Sequence, residues 1–182
     1  MQNQAVDSIE YELTYLAKSL PANIKSVTPN RLKDIYIPDT ADIHPRLRLR
    51  KKGNKFELTK KVPLKEGDAS AHTELTIPLD ESEFLALENS STKIVEKDRY
   101  NITIDGYEAE IDVFLGDLQG LVLIDFEFDS EDAKSAFIVP DVCLADVTQE
   151  MFIAGGKLAG LTYSDISEEL SRFNYTKLNL EN

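Results

Sequence analysis

Arg46-Leu-Arg48-Leu-Arg50 sets three guanidinium groups two residues apart, and acids recur at the same spacing in Glu10-Tyr-Glu12, Glu108-Ala-Glu110-Ile-Asp112 and Asp125-Phe-Glu127. Lysine and arginine join them in Thr59-Lys-Lys61 and Lys97-Asp-Arg99. Guanidinium groups make paired hydrogen bonds to phosphate oxygens, and carboxylates are the ligands that hard divalent cations select. The combination suggests a phosphate-and-metal site.

Residues two apart share a face only on a strand, so strands must position these groups. An antiparallel sheet often has one wet face, and charge alternation then reflects solvation and cross-strand pairing. Here the charges segregate by segment, and three arginines on one face repel unless acids or anions stand opposite. If the sheet closes with these faces inward, a dry interior could not hold roughly a dozen ions, because each loses several kcal/mol of hydration. Such an interior is wet or filled by a charged ligand, and a barrel of about eight strands has room for one.

Alternation and β-branched or aromatic content predict strands at 7–16, 33–37, 46–52, 55–62, 72–78, 93–104, 107–115 and 120–128. Lys52-Gly-Asn54, Lys65 to Asp68, Asp105-Gly106 and Gly116-Asp117 supply the turns, with Asp105-Gly106 the strongest hairpin signal. Asp80 with Glu83 predicts a capped helix over 81–88, and Ser130, Thr148 and Ser164 are expected to cap helices over 131–137, 149–154 and 165–173. The fold class is α+β, mainly antiparallel β, in one domain over 1–182 whose C-terminal helical segment spans about 148–176.

A net charge of -13 argues against a nucleic acid duplex as partner, while still allowing a small anion at a local cluster of bases. Cys143 is the single cysteine, which excludes an intrachain disulfide, and Val142-Cys-Leu144 reads as a buried apolar position. His44 and His72 are too far apart to suggest a histidine metal site. The N-terminal stretch lacks a signal-peptide core, and no apolar run reaches the roughly 20 residues of a spanning helix. A cytoplasmic location without membrane contact is the expectation; oligomeric state is open.

In order from about residue 8 to 160, the chain resembles the CYTH domain, or triphosphate tunnel metalloenzyme, family. Glu10-Tyr-Glu12 is similar to the family's opening acid pair, and Arg48-Leu-Arg50 with Thr59-Lys-Lys61 to its next signature. Glu74-Leu-Thr-Ile-Pro78, Lys97-Asp-Arg99-Tyr100, Asp112-Val-Phe114, Gly120-Leu-Val122, Asp125-Phe-Glu127, Val147-Thr148 and Leu158-Ala159 follow in order. The resemblance implies an eight-stranded closed β-barrel open as a tunnel with peripheral helices, a small triphosphate substrate, and Mg²⁺ or Mn²⁺ as cofactor.

It also implies roles: Glu10, Glu12, Asp125 and Glu127 as metal ligands, with Glu12 and Glu127 orienting a water for attack on the terminal phosphorus. Arg48, Arg50, Lys61, Lys97 and Arg99 hold phosphate oxygens. Glu74, Glu110 and Asp112 pair with these bases, Arg46 sits at the mouth, and His72 occupies a position where several relatives carry a base. Gly155-Gly-Lys157 does not meet the P-loop pattern, so Lys157 reads as a solvated lysine. The family's acid pair is followed by lysine; Thr14 stands there instead. A triphosphatase is the leading expectation, with a noncatalytic polyphosphate or nucleotide-binding module and an adenylate cyclase as alternatives.

Overall fold

The computed structural model describes residues 6–40 and 44–180, with the side chains of Val6 and Asp7 outside that description. Part of the N-terminal stretch read for a signal sequence lies outside the described residues. Nine strands form one antiparallel sheet: β1 (Val6–Ala17), β2 (Asn30–Ile37), β3 (Leu47–Lys52), β4 (Lys55–Pro63), β5 (Ala71–Leu79), β6 (Ile94–Ile104), β7 (Tyr107–Phe114), β8 (Val122–Phe128) and β9 (Cys143–Asp146). β1 closes it, pairing with β8 from Tyr11 to Leu16 and with β5 from Val6 to Tyr11. The first eight strands thus make a barrel in the order β1-β5-β4-β3-β2-β6-β7-β8. Beyond Tyr11 the edge that β5 leaves is taken by β9, which pairs with Tyr15 to Ala17.

The barrel inverts the usual distribution of polarity. Its outer wall is apolar where other elements cover it. Ile35 and Leu49 lie under Phe84 of helix α1 (Glu81–Leu87). Ile102, Ala109, Ile111, Ile124 and Phe126 lie under Ile24, Phe137, Val142 and Leu178. Burying a Leu, Ile or Phe side chain contributes about 1.5–3 kcal/mol, so this outer wall carries the stability that an ionic interior cannot supply.

At one end the inward faces turn apolar. Tyr36, Val95, Phe114 and Leu123 form one buried cluster with Val147, Ile153 and Leu158, giving the interior an apolar floor. Gly155 makes this closure possible, since a Cβ there would lie 2.0 Å from the Tyr36 hydroxyl oxygen. The segment after β9 therefore lies directly against β2.

Every strand expected from the alternation is present, within three residues at either end. Asp105 and Gly106 take positive φ of 51° and 88°, the backbone of a two-residue hairpin turn between β6 and β7. The Asp80 amide donates to Glu83 Oε2 at 2.8 Å, one half of the capping box expected at α1. Two helices beyond it are shorter than the expected 131–137 and 165–173, α2 (Glu131–Ser135) and α4 (Ser167–Ser171), and a further short helix, α3 (Gly155–Leu158), was not expected. Over 149–154 a 3₁₀ turn at Met151–Ile153 replaces the expected helix. Thr148 does not cap it; its hydroxyl receives the Thr14 amide at 3.0 Å and donates to Asp146 at 2.6 Å, tying β9 to β1.

Candidate active site

A cavity of about 740 Å³ fills the barrel. Glu10, Glu12, Arg48, Arg50, Lys61, Lys97, Arg99, Asp125 and Glu127 all line it. The register explains the convergence, since Glu12 pairs with Glu127, Thr14 with Asp125, Arg99 with Asp112 and Lys61 with Glu74 on neighbouring strands. Neighbours of opposite sign therefore meet at Arg99–Asp112 and Lys61–Glu74, and two acids meet at Glu12–Glu127.

Lys61 stands among three acids. Its Nζ is 3.0 Å from Glu12 Oε2, 2.9 Å from Glu10 Oε2 and 3.5 Å from Glu74 Oε2. Across the barrel, Arg99 donates to both oxygens of Asp112 at 2.6 Å, bonds Glu110, and comes within 3.5 Å of Asp125. Lys97 donates to Asp112 and lies over the Phe114 ring.

The two arginines of β3 differ. Arg50 is 8% exposed and forms a two-pronged pair with Asp34 at 2.6 and 2.7 Å. Arg48 has both of its nearest acids, Asp34 and Glu74, 3.9 Å away, and its buried Nε has no hydrogen-bond partner among the described residues. A buried donor left unpaired costs about 1–3 kcal/mol, more when charged, and an incoming anion would relieve that cost. Arg48 is thus the less tightly paired of the two, whereas Arg50 is committed to Asp34.

The acids divide as sharply. Burial raises the Glu12 carboxyl, but the charge and hydrogen bond of Lys61 outweigh it and hold the group at about 2. Burial and the Glu12 and Asp112 carboxylates push Asp125 up, despite Arg99. Glu127, at the exposed rim, is raised to about 7 by desolvation and by Glu110, Glu12 and Glu10. Thr14 donates to Asp125 Oδ1 at 2.7 Å and contacts Glu12 Oε1 at 3.4 Å, joining the acids of β1 and β8 through a hydroxyl. Crowded carboxylates that repel one another in this way are what a cation would quiet.

Other candidates are placed as follows. Glu74, Glu110 and Asp112 line the cavity and pair with its bases. His72 also lines it; burial and Lys61 hold its pKa down, and its buried Nδ1 has no hydrogen-bond partner among the described residues. Arg46 is exposed at the lining's edge, and the lining does not include Lys157. Cys143 is half-buried in β9 and burial raises its thiol to about 12, which makes it a poor nucleophile.

Asp34 is the acid that motif reading missed. It is 1% exposed, and Arg50 and Arg48 draw its carboxyl far below its ordinary range despite burial. Only the β2–β3 register, which sets Asp34 opposite Arg50, makes its role visible. Tyr36 and the floor residue Ile153 were also not singled out.

No family model matches the chain. An inorganic triphosphatase of Nitrosomonas europaea is 35% identical over 143 residues, covering 78% of this chain and 90% of that protein. The chain belongs to the CYTH, or triphosphate tunnel, family. A second CYTH relative, an inorganic triphosphatase of Acetivibrio thermocellus, is 30% identical over 95 residues, 52% of this chain and 60% of that one. A crystal structure of an inorganic triphosphatase superposes with a TM-score of 0.60 at 32% identity, over 82% of this chain and 93% of its own. The CYTH barrel fold is shared more distantly by a putative adenylate cyclase from Bacillus halodurans, at 18% identity and a TM-score of 0.53, over 97% of this chain and 95% of that one.

Proposed function

We propose that the barrel hydrolyses inorganic triphosphate or a small organic triphosphate, with water attacking the terminal phosphorus, and that a divalent cation, Mg²⁺ or Mn²⁺, assists. The observation that carries this reading is Arg48, loosely paired at 3.9 Å and lining a cavity whose opposite wall holds Glu12, Asp125 and Glu127. The relatives named inorganic triphosphatase support the same substrate class.

The donor set suits a hard cation. Among the described residues no three His, Cys, Asp or Glu side chains gather as a metal cage. Mg²⁺ needs none, since one or two carboxylates suffice when phosphate oxygens and water complete its shell. Asp125 and Glu127, raised by their neighbours, are the ligands we assign first, with Glu12 and Glu10 beside them. When bound, the cation would withdraw charge from the phosphate oxygens.

The chain's own groups do the rest. Arg48 and Lys61 bind and orient the anion, and Arg99 and Lys97 extend the positive wall from their pairs with Asp112. Glu12 stays ionised through Lys61, so it can accept a hydrogen bond from water. Glu127 at the rim, raised toward neutrality, is suited to take the proton that water loses. Positioning and charge neutralisation supply most of the rate in phosphoryl transfer, and no covalent intermediate is required.

The test incubates purified protein with Mg²⁺ or Mn²⁺ and inorganic triphosphate, ATP or thiamine triphosphate, following phosphate, pyrophosphate and cyclic AMP. Phosphate release that disappears in Glu127→Gln is expected. Binding without turnover of any compound would replace this reading with a sensor, and pyrophosphate with cyclic AMP would replace it with a cyclase.

A further inference from the structure

The two ends of the cavity differ, and the β2–β3 register gives their order. Tyr36, part of the apolar floor, lies opposite Arg48, Asp34 lies opposite Arg50, and Leu32 lies opposite Lys52. Arg48, Arg50 and Lys52 therefore form one inward row on β3 that runs from the floor to the mouth, and all three line the cavity. Where the loop before β5 meets the segment after β9, the lining instead carries Glu66, Asp68 and Glu150, with His44 and Arg46 beside them. A phosphate chain is thus drawn in past Lys52.

Lys52 faces another base. Lys55 stands directly opposite it across the Gly53-Asn54 turn, on the same face of the hairpin. Opposed like charges destabilise a strand pair, and an anion between them relieves the repulsion. Glu57, the nearest acid in register, lies opposite Arg50, and among the described residues no acid forms an ion pair with Lys52 or Lys55. Lys52 is half-buried and Lys55 exposed, so both ammonium groups are open to a ligand at the mouth. In a chain of net charge -13 they set a local field that favours an anion there.

We propose that Lys52 and Lys55 make the barrel select inorganic triphosphate over organic esters of triphosphate. The proposal rests on the reading that the cavity binds triphosphates. The floor is a packed, buried cluster, so an ester enters with its free phosphate first and leaves its esterified phosphate at the mouth. There the two classes differ in charge. The outer phosphate of inorganic triphosphate has three oxygens free of carbon and carries up to two charges, whereas esterification takes one oxygen and leaves one charge. Two ammonium groups hold the first more tightly than the second, a charged hydrogen bond being worth about tenfold in affinity or more. Arg48 and Lys61 lie deeper and meet phosphates that both classes share, so they do not read this difference.

Calorimetric titration of the whole protein without divalent metal, with inorganic triphosphate, methyl triphosphate and ATP, tests it. Inorganic triphosphate should bind at least about tenfold more tightly than methyl triphosphate, which differs from it by one methyl group and one charge. Lys52→Gln combined with Lys55→Gln should bring the two within about threefold of each other, while Lys52→Arg keeps the preference. The ligand-free melting temperature of the double variant should hold or rise, because an opposed pair of like charges is gone. Equal affinity for inorganic and methyl triphosphate in the unaltered protein would overturn the proposal, as would discrimination against ATP alone, which is selection by size. A preference that survives the double substitution, or a lowered ligand-free melt, would overturn it too. Failure of the hydrolysis reading shows separately, as no phosphate release from a protein that still binds, whereas absence of binding to every triphosphate would overturn both.

Discussion

Asp34 and Arg48 lie 3.9 Å apart on adjacent strands and do different work. Asp34 has a buried guanidinium as its partner on two prongs, so its loss leaves Arg50 uncompensated in the wall. Breaking such a pair costs about 3–5 kcal/mol. Asp34→Ala should therefore lower the denaturant midpoint strongly, while Arg48→Ala should leave it nearly unchanged and weaken triphosphate binding about tenfold or more, a charged hydrogen bond being worth about 1.5–3 kcal/mol. Chemical denaturation and calorimetric titration of the two variants check this. Thr14 gives a second prediction at this scale. Its hydroxyl holds Asp125 where the family places a lysine. Thr14→Lys adds a cation beside Glu12 and Asp125, so it should tighten triphosphate binding in the absence of divalent metal and reduce the benefit of adding metal, as titrations with and without Mg²⁺ would show.

At the scale of elements, the alternation of charged and apolar residues was sufficient to find eight strands, because a period of two has few other physical readings. β9 escaped because Cys143-Leu-Ala-Asp146 is four residues long and has no polar alternation; it exists because β1 outruns β5 and leaves an edge to fill. The expected helix over 149–154 fails for a tertiary reason. Met151–Ile153 must turn tightly so that Ile153 reaches the floor and Gly155 passes the Tyr36 hydroxyl. The role of Asp34 was hidden for a related cause, since a lone acid in Asp34-Ile-Tyr-Ile37 shows its partner only once the register with β3 is known. The approach at Gly155 predicts that Gly155→Ala, by overpacking against Tyr36, costs about 1–3 kcal/mol. Differential scanning calorimetry should find the melting temperature down by several degrees.

At the scale of the whole molecule, an ionic interior makes stability depend on pH in two directions. Glu12, Asp34 and Asp112 have depressed values, so their stabilisation is present above the ordinary carboxylate range and is lost as pH falls through the folded values. Asp125 and Glu127 have raised values, so between about pH 4 and 7 the folded chain keeps protons that the unfolded chain has released, and their contribution is lost as pH rises through about 7. The metal-free protein should thus melt highest in mildly acidic solution and lower at pH 8. Millimolar Mg²⁺ should reverse that loss at pH 8, and Glu127→Gln should lessen it without metal. Thermal melts across pH with and without chelator would show the effect.

The central claim is that the bases and the acids lining one cavity divide the labour, the bases holding phosphate and the acids holding a cation. Triphosphate binding, measured by calorimetry with and without Mg²⁺, tests it most directly in Arg48→Ala and Glu127→Gln. The account predicts that Arg48→Ala loses metal-free binding, while Glu127→Gln keeps it and loses the gain that Mg²⁺ brings. If the two variants lost both terms alike, or neither lost either, the division of the cavity would be contradicted.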